Sequence, residues 1–295
     1  MSLDAAAASE LFRRPPDRFV ATAAGEVAYR VVGQGPDVLF VHGWPASSAT
    51  FRALLPHLVE HVTCHLIDLP GAGSSRFDRS TTLTLDEHIR TVAGVFEALG
   101  LTRVAVVGHD SGGMIARHAL AGDPRVSAMA LIDTEQPQGS TWRFRAFLAG
   151  RHLPGYGAAL GWIAGRHRLR RNGLLLGGAF RDRSLLDGEF DEFFLAPLRR
   201  SADHRWAAQQ LVRSFRYELV RALGALHARI DVPVQLVWGE HDAFFPVERA
   251  RAMVGTFADA RLAVIAGAAL FPHEERPEAV AAALLPVLTG RSSPS

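Results

Sequence analysis

The stretch Gly108-His109-Asp110-Ser111-Gly112-Gly113 constrains this chain more than any other. The apolar run before it, Arg103 to Val107, reads as a short buried strand, and Met114 to Ala121 reads as a helix. A strand that enters a helix through Gly-x-X-x-Gly turns so sharply that only glycines fit on its flanks. The middle residue is then presented at the C-terminal edge of a sheet. This is the nucleophile-elbow pattern, with Asp110 at its centre where Ser is usual. Ser111 stands one place too late, because His109 rather than Gly lies two residues before it. A carboxylate in that place is ionised at neutral pH and needs no base in order to attack. Taken alone, the stretch also fits an ordinary Gly-rich turn with a capping Asp.

The rest of the chain supplies the sheet that such a turn requires. Glu26 to Val32 reads as a strand closed by Gly33-Gln-Gly-Pro36, and Asp37 to Val41 as a strand buried on both faces. Ser47 or Ser48 caps a helix with Phe51, Leu54, Leu55 and Leu58 on one face. The strand from Val62 to Ile67 empties into the tight loop Asp68-Leu-Pro-Gly-Ala-Gly-Ser-Ser75. Thr84 caps the next helix and Gly100 stops it. Val126 to Ile132 is a further strand. Strands alternating with helices imply a mostly parallel, doubly wound α/β sheet. The alternation stops at Asp133, and from about Thr134 to Ile230 come helix-like pieces broken by Pro and Gly. It resumes with the strand Val234 to Trp238, a helix from about Val247 to Thr256, the strand Arg261 to Ile265 and a helix from Pro277. The expected organisation is a core in two parts, residues 18–133 and 231–288, with a helical cap at 134–230 over the sheet edge where ligands sit in such folds. The tail from Thr289 to Ser295 is expected to fray.

Composition narrows the class. The 295 residues are 48% apolar with no membrane-length run, and a net charge of +2 does not point to nucleic acid. The N-terminus lacks the pattern of a secretory signal, and the single Cys64 cannot form an internal disulfide. The expectation is a cytoplasmic globular protein with a buried structural thiol, no membrane or nucleic-acid partner, and a homodimer left open. The cluster Arg166 to Arg171 reads as a solvated helix face or an anion-steering patch.

Four motifs in order, His42-Gly-Trp-Pro45, Asp68-Leu-Pro-Gly-Ala-Gly-Ser74, Gly108 to Gly113 and Trp238-Gly-Glu-His-Asp242, carry a resemblance. With the cap in its place, the chain from about residue 18 resembles the α/β-hydrolase fold. It is most similar to the Asp-nucleophile branch of epoxide hydrolases and of haloalkane and haloacetate dehalogenases. The resemblance implies that Asp110 forms an alkyl ester with a carbon bearing an epoxide oxygen or a halide. It implies an oxyanion hole from the backbone N–H groups of Trp44 and Ser111, and Asp242 as the acid that orients a catalytic His. Asp133 and Glu135 are fallback acids, and His42 is a loop-holding residue. No cofactor or metal is implied.

The pattern breaks at the His. Relatives typically read Gly-x-Gly-His-Phe, whereas this chain has Gly267-Ala-Ala-Leu270-Phe271-Pro272-His273. Leu270 cannot activate water. His273 is the expected replacement, provided that the loop is rebuilt to bring its imidazole toward Asp110. The alternatives are slow hydrolysis of the ester, or a chain that has left hydrolysis for isomerisation, cyclisation or ligand binding.

Among substrates, epoxides need an acid for the departing oxygen, and the cap tyrosines Tyr217 and Tyr156 are candidates. Dehalogenases of the haloalkane type often have Trp after the nucleophile, and those of the haloacetate type Arg. Ser111 stands there instead, leaving Trp44 or Trp142, and Arg143 or Arg145, as substitutes. The expected function is therefore opening of an epoxide to a diol, with dehalogenation second. The expected substrate is a small apolar organic molecule, facing cap residues such as Phe144, Phe147, Leu148, Trp162, Phe180, Phe190, Phe193 and Phe194. Those residues serve equally as cap core.

Overall fold

The computed structural model describes residues 3–290, so the expected fraying beyond Gly290 lies outside the described residues. Eight strands form one sheet: β1 (Arg18–Thr22), β2 (Gly25–Gly33), β3 (Asp37–Val41), β4 (Thr63–Asp68), β5 (Val104–His109), β6 (Val126–Ile132), β7 (Val234–Gly239) and β8 (Ala260–Ile265). Their spatial order is β1-β2-β4-β3-β5-β6-β7-β8. The pairs β1–β2 and β2–β4 are antiparallel and the other five are parallel. Continuous apolar runs explain the centre: β5 is buried at every position, and β3 at every position but its first.

Register decides which loops meet. Val41 pairs with both Ile67 and Gly108, while Ile132 pairs with both His109 and Val237. The C-terminal ends of five neighbouring strands are therefore level. The loops after them, beginning at His42, Leu69, Asp110, Asp133 and Glu240, open at one edge.

Local sequence explains the flanking helices. Thr84 Oγ1 accepts the N–H of Glu87 at 3.2 Å to start the helix Leu85–Leu99, and Gly100 ends it in the left-handed region at φ 65°. The helix expected after Ser47 is two shorter pieces. Ser47 caps a 3-10 turn, Ser48–Phe51, and a separate turn, Leu55–Leu58, carries Pro56, which cannot donate to a preceding carbonyl. Two elements escape the sequence pattern, the helix Ala5–Arg13 and β1, of which only Val20 is buried.

Between Ile132 and Val234 the described residues form no strand. The helices Trp142–Ala149, Tyr156–Ala164, Ala202–Arg213 and Tyr217–His227 are the longest pieces there. The basic cluster in this region is tied into ion pairs, Arg170 and Arg171 to Asp187 and Arg170 to Asp191. Cys64 is buried, and burial pushes its thiol up to about 12. No helix among the described residues is long and apolar enough to cross a membrane.

Candidate active site

Asp110 sits between β5 and the helix Ser111–Leu120 with φ 51° and ψ −135°, a conformation that non-glycine residues avoid. The glycines make it possible. A Cβ on Gly108 would stand 2.6 Å from the Cα of Gly113, so strand and helix close on each other only without side chains at these two places. The carboxylate faces two backbone donors: the N–H of Trp44, 3.0 Å from Oδ1, and the N–H of Ser111. Burial pushes the Asp110 carboxyl up to about 6, against the lowering effect of these donors. The pair of N–H groups expected to form an oxyanion hole is thus brought to the Asp110 carboxylate.

His42 holds the loop that carries Trp44. Its Nε2 accepts the N–H of Leu69 at 2.9 Å, which leaves Nδ1–H to donate to the carbonyl of Gly43 at 3.0 Å. Burial lowers its pKa, so the imidazole stays neutral.

The structure does not bring His273 into this site. Phe271 and Pro272 start a short helical turn, Pro272–Glu275, that carries the imidazole inward. There its Nε2 lies 2.8 Å from Thr50 Oγ1 and its ring packs 4.4 Å from that of His109. His273 has no solvent exposure, and burial holds its pKa well below the usual value. Among the described residues it makes no hydrogen bond to Asp110 or Asp242. His109 in turn donates Nε2–H to the carbonyl of Leu270 at 2.9 Å, pinning the loop where the usual His is missing.

Asp242 meets a carboxyl rather than an imidazole. Its Oδ1 accepts the N–H groups of Phe244 and Phe245, its Oδ2 is buried without a hydrogen-bond partner among the described residues, and the Asp133 carboxyl lies nearby. Asp133, itself at φ 32°, accepts the N–H of Gly239 on both oxygens. Burial and a nearby like charge both favour the neutral form of a carboxyl. Burial and the Asp242 charge push Asp133 well up, while burial, with a smaller push from the Asp110 charge, takes Asp242 up to about 7.

A cavity of about 50 Å³ opens at Asp110, lined by Trp44, Ser111, Glu135, Phe144, Phe147 and Phe215 among others. Phe144, Phe147 and Leu148 therefore face the cavity. Phe180, Phe190 and Phe194 instead pack into an aromatic core, Phe180 stacking on Phe271 at 5.0 Å. The expected substrate-binding residues lie apart from the cavity wall. Trp142 is 65% exposed, Tyr156 packs with its hydroxyl 3.5 Å from the carbonyl of Phe147, and Tyr217 stacks edge-on against Phe215. The indole N–H of Trp44 is occupied by the carbonyl of Ala208 at 3.0 Å.

Sequence reasoning had Glu135 only as a spare partner for a His. The structure places it on the cavity with Asp110, and burial together with the Asp110 charge pushes it up to about 7. The signal available in the sequence was an acid three residues past the end of a buried strand, directly after Thr134.

This arrangement belongs to a known class. The family model for the α/β hydrolase fold matches residues 36–277, and the chain is a member of that family. A curated relative is the pimeloyl-[acyl-carrier protein] methyl ester esterase of Xanthomonas campestris, 37% identical over 115 residues, or 38% of this chain and 43% of that protein. The chain thus spans less than half the length of the curated relatives it matches. Among solved structures, the haloalkane dehalogenase DbeA from Bradyrhizobium elkani superposes with a TM-score of 0.77 at 21% identity, covering 92% of this chain and 97% of that one. The epoxide hydrolase CorEH gives 0.75 at 19% identity, covering 92% and 98%. At these identities the likeness is one of fold.

Proposed function

We propose that this α/β hydrolase works through an ester on Asp110 and opens a small apolar epoxide to a diol. The observation that supports it is the Asp110 carboxylate on the elbow, presented to an apolar cavity and met by the N–H groups of Trp44 and Ser111. In the first step an Asp110 oxygen bonds to an epoxide carbon, the C–O bond breaks, and the departing oxygen takes a proton. In the second, water adds to the ester carbonyl carbon while the two N–H groups hold the developing oxyanion. Collapse releases the diol and returns Asp110 with one oxygen from water.

Leaving-group chemistry favours an epoxide over a halide. A halide needs N–H donors in the cavity, but the indole of Trp44 is engaged with Ala208 and Trp142 is at the surface. An ester cycle on Ser111 has less support, since no imidazole among the described residues hydrogen-bonds to its hydroxyl.

The reading is tested by quenching the protein with styrene oxide and, separately, with 1-bromohexane, and weighing the peptide that carries Asp110. The expected result is an adduct of styrene oxide mass on Asp110 together with diol in solution. An adduct and turnover with the bromide alone would move the assignment to dehalogenation. No adduct and no turnover with either would contradict the hydrolytic reading and favour ligand binding or isomerisation.

A further inference from the structure

An epoxide cycle on Asp110 needs a proton donor for the departing oxygen and then a base for water. His273 is walled off behind His109 and Thr50, Leu270 carries no proton, and neither Tyr156 nor Tyr217 lines the cavity. One titratable side chain besides Asp110 does line it, that of Glu135.

The hydrogen-bond geometry around Thr134 states which form Glu135 takes. Thr134 Oγ1 lies 2.7 Å from the carbonyl oxygen of Asp110 and 3.0 Å from Glu135 Oε2, and it accepts Arg117 Nη2–H at 2.9 Å. A hydroxyl has one hydrogen and two lone pairs. Its hydrogen goes to the Asp110 carbonyl, the nearer oxygen, which can only accept. The contact to Glu135 is then attractive only when Glu135 carries a proton and donates it. Thr134 is satisfied in full by that arrangement, with two bonds accepted and one donated. The charged groups acting on Glu135 are Asp110, which favours its neutral form, and Arg117, which opposes it. Arg117 is fully buried and also donates to the backbone carbonyl of Glu135 at 2.8 Å, to that of Gly113 at 3.0 Å and to His227 Nε2 at 3.0 Å. It fixes the strand end that holds Glu135 to the helix that follows Asp110.

We propose that Glu135 is the proton donor and then the general base of the Asp110 cycle, taking over both tasks in a chain whose usual His is Leu270. This rests on the epoxide reading given above. In the first step Asp110 bonds to carbon and the epoxide oxygen takes the Glu135 proton, leaving a hydroxyalkyl ester and a Glu135 carboxylate. In the second that carboxylate removes a proton from water as its oxygen adds to the ester carbonyl. Collapse expels the alcohol oxygen, which is protonated within the tetrahedral intermediate, and leaves ionised Asp110 and protonated Glu135 for the next turnover. One epoxide and one water give one diol, and both carboxyls end as they began.

The test uses the full chain with styrene oxide, comparing wild type, Glu135→Gln and Glu135→Asp. The amide keeps the shape and the Thr134 contact but transfers no proton. The expected loss in kcat/KM for Glu135→Gln is about 100-fold or more, the usual worth of a positioned acid–base group. Any ester it forms persists on Asp110. Activity needs Asp110 ionised and Glu135 protonated, so wild-type kcat/KM rises with pH through about 6 and falls through about 7. Glu135→Gln loses the alkaline fall, and Glu135→Asp keeps it at a reduced rate. A Glu135→Gln variant with near wild-type rate and an unchanged alkaline limb would overturn the role of Glu135 while leaving the Asp110 ester standing. Absence of an Asp110 ester in wild type would overturn both. If Glu135→Gln fails to fold, a Glu135→Asp profile with no alkaline fall decides against the proposal.

Discussion

Two buried clusters of ionisable groups border the Asp110 elbow, and they differ in what they can reach. One runs through His109 to His273, Thr50 and Glu274, with Arg52 paired to Glu274 at 2.8 Å. The other runs through Thr134 to Glu135 and Arg117. Both are hidden from bulk water and both have strongly shifted titration. Only the second opens onto the cavity that Asp110 faces. Burial perturbs a pKa wherever it occurs, and chemistry needs a perturbed group that also touches the substrate's space. The His cluster pins the loop of Leu270, and the Glu135 cluster is the one placed on the cavity that Asp110 faces, as the proposed acid–base role requires.

The largest effect that sharpens this contrast is at Asp110. Asp110→Ala removes the proposed nucleophile and is expected to lower kcat/KM by about 10⁴ or more, the scale seen when a member of a catalytic unit is deleted. Peptide mass spectrometry of the same variant shows no adduct. A second, smaller change rebuilds the missing part. In a Glu135→Gln background, Leu270→His puts an imidazole where the resemblance expects one, and hydrolysis of the trapped ester speeds up by at least about tenfold. Single-turnover decay of the adduct measures it.

The acid pair gives a stability effect. Asp242 is held up to about 7 by burial, beside Asp133 and Asp110. A carboxyl raised in the folded state binds more protons there than in the unfolded chain. Its stabilising contribution is present at low pH and is lost as pH rises through about 7. Asn cannot ionise, so the Tm of Asp242→Asn relative to wild type climbs between pH 4 and pH 8, as calorimetry at both values checks. A difference that is flat or falling would mean that Asp242 is ionised in the folded chain. The smallest effect on rate belongs to His273. His273→Asn removes a buried partner of Thr50 and costs about 1–3 kcal/mol of stability. Its kcat/KM and pH profile stay within about threefold of wild type, well short of the loss of an acid–base group.

The same two clusters mark how far the sequence could be read. The elbow is legible because Gly108, Gly112 and Gly113 leave few other ways to turn from strand to helix, and the parallel sheet because β3 and β5 are unbroken apolar runs. The helical stretch between β6 and β7 shows as an interruption of alternation, although its residues do not say which of them face inward. Phe144 and Phe180 look alike in the sequence, yet one lines the cavity and the other stacks on Phe271. His273 is three positions from the expected place, a gap that loops can close. What prevents it here is Pro272, which opens a helical turn and sends the imidazole toward Thr50. Glu135 was visible as an acid at a strand end, but an acid that orients a His and an acid that serves the substrate read identically. Only the shared cavity separates them.

The most direct test of the account follows oxygen rather than rate. Wild-type protein in excess over styrene oxide is taken through one turnover in heavy-oxygen water, and both the diol and the peptide carrying Asp110 are weighed. Attack by Asp110 on carbon, then by water on the ester carbonyl, places the heavy oxygen in the Asp110 carboxylate and leaves the first diol unlabelled. Heavy oxygen in the first diol with none in Asp110 would show that water attacks the epoxide directly, and would contradict the ester on Asp110.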